Sequence, residues 1–303
     1  MKVLITGATG LLGTEIVKLC IEKGYHVNYL TTRKRKIRSE ARLRGYYWNP
    51  YNKDIDKSCI EGVDMIINLA GASISKRWTA TYKSRILSSR TASLKVLYNL
   101  VSSTPNQVKQ LISASAIGIY PSSLTEKYGE DTLTVNASFL GTVVLTWEQA
   151  ADEFKNLGLE VTKLRIGVVL SSKGGALEPL IKPVKFGVGS PLGSGKQYQS
   201  WIHIDDLTRI FLYVMEQQCS GVYNAVASKP VTNEALTKVL AKQLHRPLWL
   251  PKVPAFMLKL ILGEMATIVL ESQYVLNDKI KSSGFEFEFD TIEHAVKDLL
   301  SKN

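Results

Sequence analysis

The sequence predicts an α/β protein of the Rossmann type, with a doubly wound parallel sheet and a smaller C-terminal lobe. Short apolar runs alternate with helical patterns along roughly the first half of the chain, a spacing that is typical of parallel strands covered by helices. The first apolar run leads directly into a glycine-rich loop. A hydrophobic content of 45% and a charged content of 21% are those of an ordinary globular protein.

The periodicity of the apolar residues predicts the elements in order. We expect strands at 2–6, 26–31, 65–69, 110–115 and 160–170, and helices at 12–23, at about 85–103 and ending near 156. After Ser171 the sequence becomes rich in Gly and Pro, which marks loops, and residues 222–224 predict a strand that returns to the sheet. We therefore expect a Rossmann domain over residues 1–170 and a substrate-side lobe over 171–303.

The loop after the first strand has the spacing GxxGxxG. Gly7 permits the tight turn, Gly10 lets the backbone approach a pyrophosphate, and Gly13 allows the helix to pack closely on the strand. The N-terminus of the following helix offers free N–H groups to phosphate. Because strand, loop and helix follow one another directly, the pattern predicts a dinucleotide site.

The end of the second strand indicates which dinucleotide is bound. NAD-binding proteins place an acidic residue there, on the ribose hydroxyl. This chain has Thr31, Thr32 and Arg33 instead, with no carboxylate before Glu40. Hydroxyls and a guanidinium suit a 2'-phosphate. We therefore expect NADP(H), the alternative being that the basic residues form a solvated loop.

Charge and cysteine content narrow the class of partner. The net charge is +11, but only the run from Arg33 to Arg38 is dense, and no nucleic-acid-binding motif occurs. The apolar stretch 253–270 contains Lys259 and Glu264 and predicts an amphipathic or buried helix. Three scattered cysteines and no secretion signal indicate a reducing interior. We expect a cytoplasmic protein with a small-molecule substrate and with neither nucleic acid nor a membrane as partner. We also expect no metal site, because the four histidines are widely spaced.

Segments along the whole chain match one group of proteins. They are residues 68–71 (NLAG), 77–78 (RW) with Lys83, 89–90 (SR), 113–116 (SASA), 147–148 (WE), 165–170 (RIGVVL), 193–197 (GSGKQ), 200–207 (SWIHIDDL) and 262–265 (LGEM). Through them the chain resembles the extended and atypical branches of the short-chain dehydrogenase/reductase superfamily, and within these the epimerase family proteins. The resemblance implies a small family-specific domain from about residue 249.

The resemblance also implies where NADP(H) touches the protein. The contacts are implied at Gly7, Gly10, Leu11, Leu12, Gly13, Thr31, Thr32, Arg33, Leu69, Ala70, Gly71, Arg85, Arg90, Ser113 and Val168. Val168 is implied near the nicotinamide. Arg85 and Arg90 stand five residues apart on one predicted helix, so they do not share a face, and either one can be solvated instead.

The superfamily's acid–base pair is missing. Its oxidoreductases use Tyr-x-x-x-Lys on a helix, where the ammonium lowers the pKa of the phenol. None of the 13 tyrosines is followed by Lys at this spacing, and the register set by Glu148 puts Leu140 and Val144 in the two positions. Ser115, at the position of the substrate-polarising serine, and Tyr120 remain as candidate catalytic residues, with a cap or turn role as the alternative for Ser115.

The segment 200–206 is a second polar cluster. His203 is a candidate acid or base with Asp205 to orient it. In the alternative, Asp205 is the N-cap of a helix beginning near Leu207.

Three functions remain open from the sequence. The first is an NADPH-dependent oxidoreductase that reduces a small organic substrate, because hydride transfer needs mainly positioning. The second is a non-catalytic NADP(H)-binding sensor or regulatory protein, which the missing pair favours. A nucleotide-sugar epimerase ranks last, because it needs a competent base.

Overall fold

A computed structural model of the chain describes residues 1–302. The strands are β1 (Lys2–Thr6), β2 (His26–Thr31), β3 (Ser39–Glu40), β4 (Leu43–Asn49), β5 (Asp54–Ile55), β6 (Met65–Asn68), β7 (Gln110–Ala116), β8 (Lys127–Tyr128), β9 (Glu160–Ile166), β10 (Val168–Ser171), β11 (Gly174–Gly175), β12 (Tyr198–Gln199), β13 (Trp201–His203), β14 (Gly221–Ala225), β15 (Val231–Thr232) and β16 (Tyr274–Val275). The helices are α1 (Leu11–Glu22), α2 (Ala80–Ser103), α3 (Phe139–Asp152), α4 (Leu177–Lys185), α5 (Ile204–Glu216), α6 (Asn233–Gln243), α7 (Ala255–Leu262), α8 (Thr267–Leu270), α9 (Asp278–Ser282) and α10 (Ile292–Ser301).

The main sheet runs in the order β14-β9-β7-β6-β1-β2-β4-β3. Every pair from β14 to β4 is parallel, and only β3 and the short β5 pair antiparallel, both with β4. Strands β2, β4 and β3 lie on one side of β1, whereas β6, β7, β9 and β14 lie on the other. The strand order therefore reverses beside β1, which is where doubly wound sheets typically form a crevice at the carboxyl ends of the strands. This architecture confirms the predicted fold class.

Helices cover both faces of this sheet. Helix α1 packs against α5, and α2 packs against α3. The connections β1-α1-β2 and β6-α2-β7 leave the centre in opposite directions, so right-handed crossovers place α1 and α2 on opposite faces. The strands β1, β6 and β7 are buried almost throughout, as a doubly covered parallel sheet requires.

Part of the chain after residue 171 forms a second hydrophobic core, whereas Ile280 and Phe285 belong to the main core. Helices α4, α6 and α10 bury Ile181, Leu240 and Val296 together, beside the sheet β11-β10-β13. Strand β14, however, pairs with β9 in the main sheet, as expected for residues 222–224. Helix α5 shares the main core. The domain boundary at residue 170 stays a prediction.

Three elements differ from the sequence prediction. The strand expected at 160–170 is split at Gly167, which packs so closely on Ser200 that a Cβ on Gly167 would lie 2.3 Å from the Ser200 carbonyl oxygen. Strand β9 ends before Gly167, and β10 belongs to another sheet. Helix α2 begins five residues earlier than expected, because the Thr79 hydroxyl caps the N–H of Tyr82. Strand β4 has no counterpart among the predicted strands.

The apolar stretch 253–270 is not one helix. Gly263 adopts φ 62° and separates α7 from α8. Leu260 and Ile261 are 83% and 68% exposed, so the expectation of an amphipathic or buried helix was wrong for α7. No helix among residues 1–302 is long and apolar enough to cross a membrane.

Candidate functional site

The glycine-rich loop lies at the carboxyl end of β1, on the crevice. Gly7 has φ 69°, and Gly10 donates from N to the Gly7 carbonyl at 3.0 Å. A Cβ at Gly13 would lie 2.2 Å from that same carbonyl oxygen, so only glycine lets α1 pack this closely. No side chain caps the N-terminus of α1. The first N–H groups of the helix therefore lack intrahelical partners and suit a phosphate.

A hydroxyl fastens this loop to the strand beside it. Thr6 donates from Oγ1 to Asn68 Oδ1 at 2.8 Å and accepts from the N–H groups of Leu69 and Ala70 at 3.0 and 3.1 Å. Leu69 also packs directly against Gly7: a Cβ placed on Gly7 would lie 2.9 Å from the backbone of Leu69. Gly7, Leu69 and Ala70 are thus brought together by Asn68, which belongs to the matched segment 68–71, and by Thr6, which the sequence analysis did not single out.

The end of β2 stands beside β1 and carries the predicted phosphate-binding residues. Thr31 is buried, and its Oγ1 accepts from the Arg33 N–H at 3.2 Å. Thr32 and Arg33 are exposed. Their position at the same sheet edge as the glycine loop follows from the parallel pairing of β1 and β2.

Arg90 reaches the crevice from α2. Its guanidinium donates to the carbonyls of Ala72 and Ile86 at 3.2 and 2.9 Å, and a Cβ at Gly71 would lie 3.2 Å from it. Burial lowers the pKa of Arg90 to about 10, and no carboxylate among residues 1–302 opposes this effect. A half-buried cation without a counter-ion fits a site for an anionic ligand. Arg85, by contrast, is exposed.

Two of the predicted cofactor residues have structural partners. Ser113 is buried, accepts from Asn68 Nδ2 at 3.3 Å and donates to the Ala114 carbonyl. Val168 is half-buried at the start of β10, where its N–H donates to the Ser200 carbonyl at 2.8 Å. Their cofactor roles stay predictions.

The two candidate catalytic hydroxyls lie in one buried polar network. Ser115 is 3% exposed and donates from Oγ to Glu148 Oε1 at 2.6 Å. Arg165, the partner of Ser115 across β7 and β9, donates to both oxygens of the same carboxylate at 2.8 and 3.0 Å. Tyr120 accepts from Arg165 at 2.9 Å and donates to Asn224 at 2.8 Å. Both hydroxyls are engaged within the protein.

The charges of this network fix its protonation state. Burial raises the pKa of Glu148, but the hydrogen bonds and charge of Arg165 outweigh burial and hold that pKa below its ordinary value. Burial lowers the pKa of Arg165, and Glu148 more than reverses this effect. Burial also raises the pKa of the Tyr120 phenol. Tyr120 is therefore a weaker acid than a phenol beside a lysine ammonium. The catalytic roles of Ser115 and Tyr120 stay predictions.

The positions of the missing acid–base pair lie on α3. Leu140 is half-buried in the first turn, and Val144 is buried one turn later. Neither side chain can transfer a proton. Glu148, which sets this register, accepts a hydrogen bond from Arg165.

His203 is part of the packing of the C-terminal lobe. Its ring is fully buried and stacks on Phe289 at 3.8 Å. Nδ1 accepts from the Asp205 N–H at 3.1 Å, so His203, and not Asp205, caps α5, and the cap predicted from the sequence was wrong. Nε2 lies 3.2 Å from Asp298, whose carboxylate also holds Lys302 at 2.7 Å. The Lys302 ammonium also lies 3.3 Å from Asp205, so it contacts both carboxylates beside His203.

The chain matches two family models. Residues 3–225 match the NAD dependent epimerase/dehydratase family. Residues 253–299 match a domain of unknown function, DUF1731. The first match covers the main sheet, and the second begins near the small domain that the sequence resemblance implied.

Relatives and solved structures agree with these matches. An epimerase family protein of Staphylococcus aureus (strain MRSA252) is 37% identical over 302 residues, 99% of each chain. One of Staphylococcus haemolyticus is 38% identical over 300 residues, 98% of each chain. A crystal structure of a human epimerase family protein with NADPH has a TM-score of 0.86 and 27% identity, covering 100% of both chains.

A nucleoside-diphosphate sugar epimerase of Corynebacterium glutamicum has a TM-score of 0.79 and 30% identity, with 100% of this chain covering 58% of that one.

Proposed function

The chain belongs to the NAD dependent epimerase/dehydratase family, and we propose that it binds NADP(H) and reduces a small organic carbonyl compound. The observation that carries the proposal is the cationic end of β2. Residues 31–39 hold five cationic side chains and no carboxylate, beside a glycine loop whose helix N-terminus is uncapped. Arg90 adds a half-buried cation that pairs with no carboxylate among residues 1–302. The human relative crystallised with NADPH lends further support.

A comparison of the two cofactors tests the binding step. We expect NADPH to bind at least about tenfold more tightly than NADH in a fluorescence titration, because a charged hydrogen bond to the 2'-phosphate is worth about 1.5–3 kcal/mol. Arg33→Ala is expected to remove most of this difference. Arg246→Ala, which removes an exposed arginine of the other lobe, is the matched control. Equal affinity, or tighter binding of NADH, refutes the NADP(H) assignment.

For the reaction, we propose that the substrate lies between the sheet edge and the C-terminal lobe. Hydride transfer from NADPH to the carbonyl carbon depends mainly on holding the nicotinamide and the carbonyl in register. It gives NADP+ and an alkoxide, and solvent water supplies the proton that this oxygen takes up. The buried network supports a structural role for Ser115 and Tyr120 more than a catalytic one. We therefore expect Ser115→Ala to lower the melting temperature, because Glu148 loses a donor, while NADPH oxidation stays within about twofold. A large fall in kcat at an unchanged melting temperature would restore the catalytic role.

A second candidate is a non-catalytic NADP(H)-binding protein. The observation that favours it is the pair of aliphatic side chains, Leu140 and Val144, at the acid–base positions. Tight NADPH binding without turnover on a carbonyl panel would support this candidate over the reductase. Tightly retained NAD with interconversion of a UDP-sugar would instead support an epimerase.

We place this activity in the cytoplasm, with a small molecule as substrate and with neither nucleic acid nor a membrane as partner. All three cysteines are free, and Cys20 and Cys59 are buried. Burial raises the pKa of both thiols to about 12, so neither is a reactive thiolate near neutral pH. Free, unreactive thiols support a reducing compartment.

A further inference from the structure

The residues 33–38, which we call the basic segment, concentrate charge beside the proposed 2'-phosphate position. They include Arg33, Lys34, Arg35, Lys36 and Arg38, and none of these cations forms an ion pair with a carboxylate among residues 1–302. Long like-charged side chains repel one another and are costly in entropy to order. Other contacts must therefore hold the backbone of this segment.

A buried tyrosine supplies those contacts. Tyr29 of β2 is 4% exposed. Its hydroxyl donates to the Lys36 carbonyl at 2.6 Å and accepts from the Arg38 N–H at 2.8 Å. One oxygen atom thus satisfies two backbone groups at the far end of the segment. Thr31 Oγ1, which accepts from the Arg33 N–H, closes the near end.

The segment's own hydrogen bonds join these two ends. The Lys36 N–H donates to the Arg33 carbonyl at 2.8 Å, and the Ile37 N–H donates to the Lys34 carbonyl at 3.1 Å. The result is a compact turn between two anchors.

A glycine on the neighbouring strand makes room for the phenol. Gly45 of β4 is the register partner of Tyr29. A Cβ at this position would lie 2.5 Å from both Cζ and the hydroxyl oxygen of Tyr29. The Gly45 N–H donates to the Arg38 carbonyl at 2.8 Å. Gly45 therefore allows the ring to cross β4 and also holds the end of the segment that the ring reaches.

We propose that Tyr29 positions the basic segment and so determines the preference for NADP(H) over NAD(H). This inference rests on the proposed function. A segment held in its bound conformation loses less entropy when the 2'-phosphate arrives. NADH has no phosphate at this position. Tyr29 therefore strengthens the binding of NADPH and not that of NADH.

The test is Tyr29→Phe, which removes the hydroxyl and keeps the ring. We expect the Kd for NADPH to rise about tenfold, the effect of losing one buried hydrogen-bonding group, while the Kd for NADH changes less than about twofold. Retained NADH binding also shows that the variant is folded. Tyr25→Phe is the matched control, because it removes a hydroxyl that donates at 2.7 Å to Glu216, outside the segment; it is expected to leave both affinities unchanged.

A double-mutant cycle with Arg33→Ala shows whether Tyr29 acts through the segment. If it does, Tyr29→Phe weakens NADPH binding much less in the Arg33→Ala background than in the wild type. Full additivity, or an equal effect on NADPH and NADH, overturns the inference. If Tyr29→Phe keeps the wild-type preference for NADPH, the inference about Tyr29 is wrong and the proposed function stands. If the wild type shows no preference for NADPH, the proposed function is wrong as well.

Discussion

At the residue scale, Glu148 and Arg165 are the most consequential charged pair inside the protein. Both side chains are less than a tenth exposed, and the carboxylate also accepts from Ser115. Lys163 stands 3.6 Å from the same carboxylate. A buried ion pair is weak evidence of net stability, but breaking one by removing a single partner typically costs about 3–5 kcal/mol. The pair therefore constrains which substitutions the ends of β7 and β9 tolerate.

The lowered pKa of Glu148 predicts acid sensitivity. A carboxyl whose pKa is lower in the folded state contributes stability above its unfolded pKa, near 4.5, and this contribution is lost as the pH falls toward the folded pKa. Glu148→Gln is expected to lower the free energy of unfolding by about 3–5 kcal/mol at pH 7, and to flatten its fall below about pH 4.5. Urea unfolding at pH 7 and pH 4 measures both effects.

Glu160→Gln is the control for this prediction, because Glu160 is exposed at the start of β9. An unfolding free energy that falls with acid as steeply in Glu148→Gln as in the wild type would contradict the assignment.

At the scale of elements, the contact between α1 and the glycine loop shapes the proposed cofactor site. Alanine favours a helix over glycine by about 1 kcal/mol. At Gly13, however, its Cβ would lie 2.2 Å from a backbone oxygen, and such overpacking typically costs about 1–3 kcal/mol or more. The steric effect therefore wins at this position. The geometry of the loop matters more here than helix propensity.

Gly13→Ala is accordingly expected to lower the melting temperature and to weaken NADPH binding at least about tenfold, since α1 must move off the loop. Gly118→Ala is the matched control, because a Cβ there would meet Leu140 at an ordinary 3.5 Å. Differential scanning fluorimetry and a cofactor titration on both variants measure the effect. Unchanged binding in Gly13→Ala would show that the loop can relax without loss of the site.

At the scale of the whole molecule, one carboxylate ties the C-terminal segment to α5. Asp206 is buried and accepts from the N–H groups of Glu288 and Phe289 at 3.0 and 2.9 Å. Arg209 donates to it at 2.8 Å. Phe289 in turn stacks on His203. The last part of the chain is therefore attached to the helix that packs against α1.

Asp206→Asn is expected to loosen this attachment, because an amide offers one acceptor oxygen where the carboxylate offered two. We expect a loss of about 1–3 kcal/mol in unfolding free energy and faster amide hydrogen exchange at Glu288 and Phe289, with β1 and β6 unaffected. Asp290→Asn, which alters an exposed carboxylate that accepts from Ser228, is the control. Uniformly faster exchange in all strands would argue against a local attachment.

The amino-acid sequence alone predicts the fold class, the first two strands and the family, because these depend on features that are local in the chain. Periodicity reports burial over five or six residues, and the glycine loop is contiguous with the strand and helix that give it meaning. The resemblance to epimerase family proteins is confirmed by the match over residues 3–225. Strand β4 escaped prediction because Arg44 and Gly45 interrupt its apolar pattern.

The partners of the polar side chains depend instead on contacts that form in the folded chain. Ser115, Glu148 and Arg165 are separated by 33 and 17 residues. The pairing of β7 with β9 makes Ser115 and Arg165 neighbours, and the packing of α3 on these strands brings Glu148 to them. The pairing of β2 with β4 likewise places Gly45 beneath Tyr29, whose hydroxyl then reaches the basic segment. A hydrogen bond depends on distances of a few ångströms between elements, and no local pattern carries that distance. The sequence therefore predicts a cofactor, whereas the structure shows which protein groups the hydroxyls bind.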